Sequence, residues 1–419
     1  MKRFVLVICM TVVVFILFAC GKGNNDPKPN KTQESKKTGV SGGAGDVSEG
    51  AVVPGPDMSD SEIFSRAEEL VKNMTLEEKV GQMFLVGVHQ LDPSKKGSAK
   101  KHRLTKKMKE MLRNYHIGGV CLTERNVKTE QQTKKLISEI QACASGSVMY
   151  IAAEEEGGGE HSLAAKLKGG QYTAGRKAAQ MASSMTEQQV YEEGGRIARQ
   201  LKTLGFNMNL APVADIGSER NPAYASRCFG TEVETVSTMV GSMVRGMSDQ
   251  GMAVTLKYFP GIGNVSGDYE ESILDNQDSL MTIRNNNFSV YSDGIAAGAD
   301  CVMVADTAVS RITVNNKLPA FLSKDIVTDL LREELDFEGV IMTPCLDMKA
   351  VTRNYTVEYA VVESVKAGCD LIVMPEDIKK GYDALMDAVA AGRLDEKVIN
   401  TAVRRILQDK IRRGILVSE

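Results

Sequence analysis

The sequence has no tryptophan, and aromatic residues make up only 5% of its 419 positions, so an extended groove paved with stacking rings is excluded. It has four histidines, His89, His102, His116 and His161, too few and too scattered for a metal centre built on imidazoles. No C-x-x-C spacing occurs among its eight cysteines, so neither a metal site nor a disulfide framework is expected. Net charge is -3 without a long basic stripe, which argues against a nucleic-acid partner. Nothing in the pattern calls for a cofactor.

The longest apolar run, Phe4 to Phe18, follows Lys2 and Arg3 and is shorter than the roughly 20 residues a bilayer-spanning helix needs. It reads as an export segment over residues 1–20, ending in Leu17-Phe18-Ala19-Cys20, with an uncleaved membrane anchor and an incidental Cys20 as the alternative. That ending resembles the lipobox of bacterial lipoproteins. The resemblance implies lipidation at Cys20, a membrane anchor through the lipid and an extracytoplasmic location. Residues 21–58 are rich in Gly, Ser, Pro, Lys and Asn and cannot build a core, so they read as a disordered linker. Of the six cysteines beyond them, Cys121, Cys143, Cys228, Cys301, Cys345 and Cys369, several sit in apolar runs, and buried free thiols are expected.

From residue 59 to 419 short apolar runs recur between amphipathic stretches. The runs are 82–88, 118–122, 148–153, 207–215, 252–259, 301–306, 339–345 and 370–376. They are continuous rather than alternating, as parallel strands covered on both faces should be. Helices are expected over 187–205 and over 323–337, the second capped by Ser323. Eight such repeats predict an α/β fold, a single (β/α)8 barrel with no second sandwich domain, and chemistry at the C-terminal strand ends. The polar residues expected there are Glu154, Asp215, Lys257, Asp306, Cys345 beside Pro344, and Glu376. The basic cluster of the last helix, Arg404, Arg405, Lys410, Arg412 and Arg413, is expected to be a solvated face, with contact to anionic envelope polymers as the alternative.

Read together, MTLEEKVGQMFLVG (74–87), LGFNMNLAPVADI (204–216), RCFG (227–230), LKYFPGIGN (256–264), residues 318–343, LDMKAV (346–351) and AGCDLIVMP (367–375) resemble family 3 glycoside hydrolases. The similarity is to the β-N-acetylhexosaminidase branch and implies a carbohydrate or peptidoglycan fragment as ligand. The low aromatic content still allows a small pocket for one or two sugar units.

The departures from that branch fall where its chemistry should be. The resemblance aligns the nucleophilic aspartate with Pro344 in Thr343-Pro344-Cys345-Leu346-Asp347-Met348. A pyrrolidine ring has no oxygen with which to form a glycosyl-enzyme bond. The acid/base histidine aligns with Glu270, and the other pocket histidines with Tyr258, Ile262 and Asp306. The D-Q-E-G-G-R motif reads Glu154-Glu155-Glu156-Gly157-Gly158-Gly159. No histidine of the chain lies in a segment expected to reach this pocket. Remaining candidates for substrate contact are Glu154, Asp215, Arg227, Lys257, Asp306 and Asp347, with an ion pair of Arg227 or Lys257 to Glu154 or Glu270 as the competing role.

The favoured expectation is a catalytically degenerate surface barrel that binds an amino sugar, a peptidoglycan fragment or a protein partner. The alternative is an active hydrolase using rearranged carboxylates, with Glu270 as acid and Asp347, Glu156 or Asp306 as base. A Schiff base on Lys257 or a nucleophilic Cys345 ranks below both, since neither has the surroundings it needs. The glycine turn Gly261-Ile262-Gly263-Asn264 is expected to serve conformation rather than to cradle an anion.

Overall fold

A computed structural model describes residues 58–416 apart from 93–100, 145–146, 159–161, 168–170 and 314–317. The expected export segment, Cys20, all but the last residue of the linker, Gly159 and His161 lie outside the described residues.

Each apolar run contains one strand: β1 Phe84–Gly87, β2 Gly119–Leu122, β3 Tyr150–Ala153, β4 Met208–Asn209, β5 Ala253–Phe259, β6 Cys301–Val304, β7 Val340–Cys345 and β8 Leu371–Val373. Neighbours pair in parallel in chain order, and β1 pairs with β8 to close the barrel. Leu85 stands opposite Gly119 on one side and Val373 on the other. Almost every strand residue is buried, because one face meets the barrel interior and the other meets helices; this is why the runs do not alternate.

The expected helix at 187–205 forms over Glu187–Leu204. Thr186 caps it by accepting from the Gln189 N–H, and Gly205 ends it at φ 101°. It lies so close to the helix Val233–Ser248 that a Cβ on Gly246 would fall 2.0 Å from the Tyr191 carbonyl oxygen. Ser323 does not cap its helix with its hydroxyl. The helix runs over Asp325–Glu334, and Ser323 instead accepts from Ile326 and Val327 through its backbone carbonyl. It is wound wider than an α-helix at its end, with Leu335 N–H reaching back five residues to Leu330.

The last helix, Glu396–Arg412, corrects another expectation, because most of its basic cluster is not solvated. Lys410 is fully buried and donates to Gln82 Oε1 at 2.9 Å and Gly118 O at 3.1 Å. Arg405 bonds Asp370 at 3.1 Å, and the next residue past the helix, Arg413, bonds Asp300 at 2.7 Å. Asp300 and Asp370 immediately precede β6 and β8, so this helix closes the floor of the barrel at the N-terminal strand ends. Burial raises the Asp409 carboxyl to about 8 and lowers the Lys410 ammonium to about 7. The six described cysteines are free, and all but Cys345 are buried.

Candidate sugar site at the barrel mouth

At the C-terminal strand ends a cavity of about 310 Å³ opens, at the small end of ligand pockets. Its charged lining comes from β5 itself and from the loops after β1, β2, β3, β4, β5 and β7. Asn209 holds the loop after β3 in place, accepting from the Glu155 N–H at 2.9 Å and donating to the Glu155 carbonyl at 3.0 Å. Glu155 itself turns inward to Ser162 and Ala164, and burial lifts its carboxyl to about 7. Its neighbours Glu154 and Glu156 are left to meet the cations.

Lys257, 1% exposed on β5, donates to Glu154 at 2.5 Å and to Glu156 at 2.9 Å. Arg227, from the loop after β4, forks onto Glu156 at 2.6 and 2.7 Å and also donates to the hydroxyls of Tyr258, at 2.8 Å, and Tyr269. Its guanidinium lies 5.4 Å from the Tyr258 ring centre. Register shifts between Lys257 and Phe259, and Tyr258 takes φ 151°, so consecutive residues both reach the mouth. Burial works against charge on Glu156, but Arg227 and Lys257 outweigh it and hold its carboxyl far below the usual range. Burial likewise opposes charge on Lys257, and Glu154 and Glu156 overcome it and raise the ammonium well above its ordinary value. An ammonium held between two carboxylates is a poor nucleophile, which weighs against the Schiff-base reading.

The seventh strand departs further from the expected site than its sequence suggested. Pro344 is buried and does not line the cavity; Cys345 and Asp347 do. Proline offers no N–H to the ladder, and the β7–β8 register shifts between Met342 and Cys345. Thr343 Oγ1 fills the gap, accepting from the Val373 N–H at 2.9 Å. The Cys345 thiol is pushed far up by burial and by the charges of Asp347 and Glu154, so it stays protonated and unreactive.

The mouth does contain a histidine. His89, just past β1, donates from Nε2 to Asp347 Oδ2 at 2.8 Å, correcting the expectation that no histidine reaches the pocket. Gln90 donates to the same oxygen at 3.3 Å and to Pro375 O at 2.7 Å. The signal was available: His89 directly follows the apolar run of β1, at the same kind of strand end as the other candidates. Glu270 and Arg227 also line the cavity, as expected.

Three expected rim residues do not line it. Asp215 is buried and accepts from Tyr224 Oη, Ile216 N and Ile262 N, each at 2.8 Å, and from Asn287 at 3.2 Å, so its oxygens tie the β4 and β5 loops together. It borders a separate polar cavity of about 460 Å³. Asp306 is 1% exposed, and burial raises its carboxyl to about 7. Glu376 stands exposed beside Tyr355. The glycine turn serves conformation: Gly261 sits at φ 114°, and a Cβ there would fall 2.8 Å from Asp215 Oδ1.

The model of the glycosyl hydrolase family 3 N terminal domain matches residues 75–408. This chain belongs to glycosyl hydrolase family 3. It is 30% identical over 291 residues to a beta-hexosaminidase of Stenotrophomonas maltophilia (strain R551-3), an alignment covering 67% of this chain and 84% of that one. It is 26% identical to the beta-N-acetylglucosaminidase/beta-glucosidase of Cellulomonas fimi, covering 81% of this chain and 58% of the other. Among solved structures, the family 3 beta-N-acetylglucosaminidase of Paenibacillus sp. str. FPU-7 superposes with a TM-score of 0.74 at 31% identity, over 83% of this chain and 64% of that chain. The chain thus spans under two thirds of the Cellulomonas and Paenibacillus proteins. Its family 3 barrel has the fold these relatives share, with the mouth described above.

Proposed function

We propose that this family 3 barrel binds an amino sugar or a peptidoglycan fragment at its mouth and does not cleave it through a glycosyl-enzyme intermediate. Acylated at Cys20, it works outside the cytoplasmic membrane. One observation carries the reading: the position aligned with the nucleophile is Pro344, buried away from the cavity, and the neighbouring side chain that does face it is a protonated thiol. Two further carboxylates, Glu154 and Glu156, are committed to Lys257 and Arg227 and so are poor nucleophiles. The relatives named beta-hexosaminidase support the ligand class.

A second reading has a specific observation in its favour. Glu270 and the His89–Asp347 pair line the same cavity, which supplies an acid and a base for direct hydrolysis.

Incubating the full-length chain with 4-nitrophenyl N-acetyl-β-glucosaminide separates the two. Release of nitrophenol at the buffer rate, from protein that gives binding heat with β-glycosides of amino sugars, is the expected result. Turnover that disappears in Asp347→Asn or Glu270→Gln establishes the second reading instead. Because Pro344 does not face the cavity, the double change Pro344→Asp with Glu270→His is expected to restore no turnover.

A further inference from the structure

We propose that the sugar held at this mouth carries a free amino group, protonated to an ammonium, rather than a neutral acetamido group or hydroxyl. The inference rests on reading the mouth as a sugar site and adds the charge of its ligand.

Most charges of the lining already have partners. Lys257 and Arg227 are matched by Glu154 and Glu156. Arg125 lies 3.4 Å from Glu124. Two carboxylates of the lining remain. Glu270 is exposed, and its carboxylate has no ion-pair or hydrogen-bond partner among the described residues. Asp347 receives His89 and Gln90 on Oδ2, while its Oδ1 accepts no hydrogen bond among the described residues.

These two acids come from different strands and are held on one side of the mouth by the backbone. Ala350, three residues past Asp347, donates its N–H to the Glu270 carbonyl at 2.9 Å. Lys349 and Arg353 grip the adjacent Glu271 at 2.5 and 3.1 Å, keeping their own charge off the cavity lining. Nearby, Asp306 is 1% exposed, has an Oδ2 with no hydrogen-bond partner and feels the Glu270 charge.

The cations of the lining are thus committed to other carboxylates, with His89 on the far oxygen of Asp347, and an ammonium supplies the partner that Glu270 and the open Asp347 oxygen lack. Its three donors can bridge Glu270 and the open oxygen of Asp347 in charge-assisted hydrogen bonds. An acetamide N–H offers one neutral donor, and an anionic sugar is repelled. Met303, Met348 and Met374, in the same lining, give the C–H face of the ring an adaptable apolar contact.

Calorimetric titration of the full-length chain with methyl β-glycosides of glucosamine, N-acetylglucosamine and glucose, at pH 6.5, tests the proposal. The glucosamine glycoside is expected to bind about tenfold or more tightly than the other two, and to weaken as salt is raised. Glu270→Gln should remove about tenfold of that preference and leave the other two affinities within about twofold. Asp347→Asn is the second variant. Equal or tighter binding of the N-acetylglucosamine glycoside overturns the charge assignment and leaves the sugar reading standing. No binding of any of the three overturns both.

Discussion

The two ends of this barrel both carry acids and bases and use them differently. At the floor, acids and bases interlock across strand starts and the terminal helix: Asp370 takes Arg332, Arg405 and the Ile341 N–H, while Asp300 takes Arg413 and the Val254 N–H. Both of these aspartates are spent on the fold, and the unpartnered Asp409 Oδ1 nearby is buried away from any ligand. At the mouth, Lys257 and Arg227 are saturated, but Glu270 and one oxygen of Asp347 are left over. A closed charge network of this kind supports the fold; an unclosed one facing a cavity is available for recognition. The difference implies that breaking a floor pair will cost stability, whereas changing an unpaired mouth acid will change what is bound.

The sharpest way to break that comparison is Asp370→Ala. Asp370 is 2% exposed, so its loss strands two poorly hydrated guanidiniums and an amide N–H, at a cost of about 3–5 kcal/mol. Urea unfolding of the variant should show the midpoint fall with unchanged slope. A loss under about 1 kcal/mol would place the floor network among surface pairs and remove the contrast.

The residues at both ends were in view from the sequence; their pairing was not. Eight uninterrupted apolar runs gave the barrel and the strand ends, since parallel strands buried on both faces leave that pattern. His89 was passed over because its partner, Asp347, lies 258 positions away and meets it only when β1 closes on the far side of the barrel. Lys410 was assigned to a solvated face because its acceptors on Gln82 and Gly118 are likewise brought in by closure. For Asp215 and Asp306 the position at a strand end was right, but the side chain's direction is set by loop packing that no spacing encodes. The floor did leave one readable mark: Gly298-Ala299-Asp300 and Gly368-Cys369-Asp370 share a Gly-x-Asp pattern before β6 and β8, and both aspartates accept from the N–H of a neighbouring strand and from an arginine of the C-terminal segment.

A second test sets a buried mouth acid against the floor. Asp306 lacks any cation partner among the described residues, and burial raises its carboxyl from 3.8 to about 7. Between those values the folded chain holds a proton the unfolded chain has released, so this contribution to stability is full below pH 4 and is lost as pH rises through 7. Asp306→Asn removes the ionisation. It is expected to leave stability at pH 4 nearly unchanged and to raise it at pH 8 by about 2–4 kcal/mol, read as the difference between the two pH–stability curves. An equal effect at both pH values would mean that folding does not shift the ionisation of this carboxyl.

The smallest effect tests whether burial, rather than membership of the basic cluster, decides the value of a floor charge. Arg412 lies one residue before Arg413, yet it reaches out to Asp60 at 3.0 Å, with side chains 43% and 88% exposed. Water solvates both groups, so little desolvation accompanies the pair and little Coulomb energy is gained. Asp60 also opens the helix Asp60–Asn73, whose N-terminal dipole continues to favour its charge after the arginine is gone. Arg412→Ala should therefore cost about 0–0.5 kcal/mol. Arg413→Ala, which leaves the buried Asp300 without its cation, should cost several times more in the same urea experiment. Equal losses from the two neighbours would show that the terminal helix stabilises the floor through its overall charge, and that the individual buried pairs add nothing of their own.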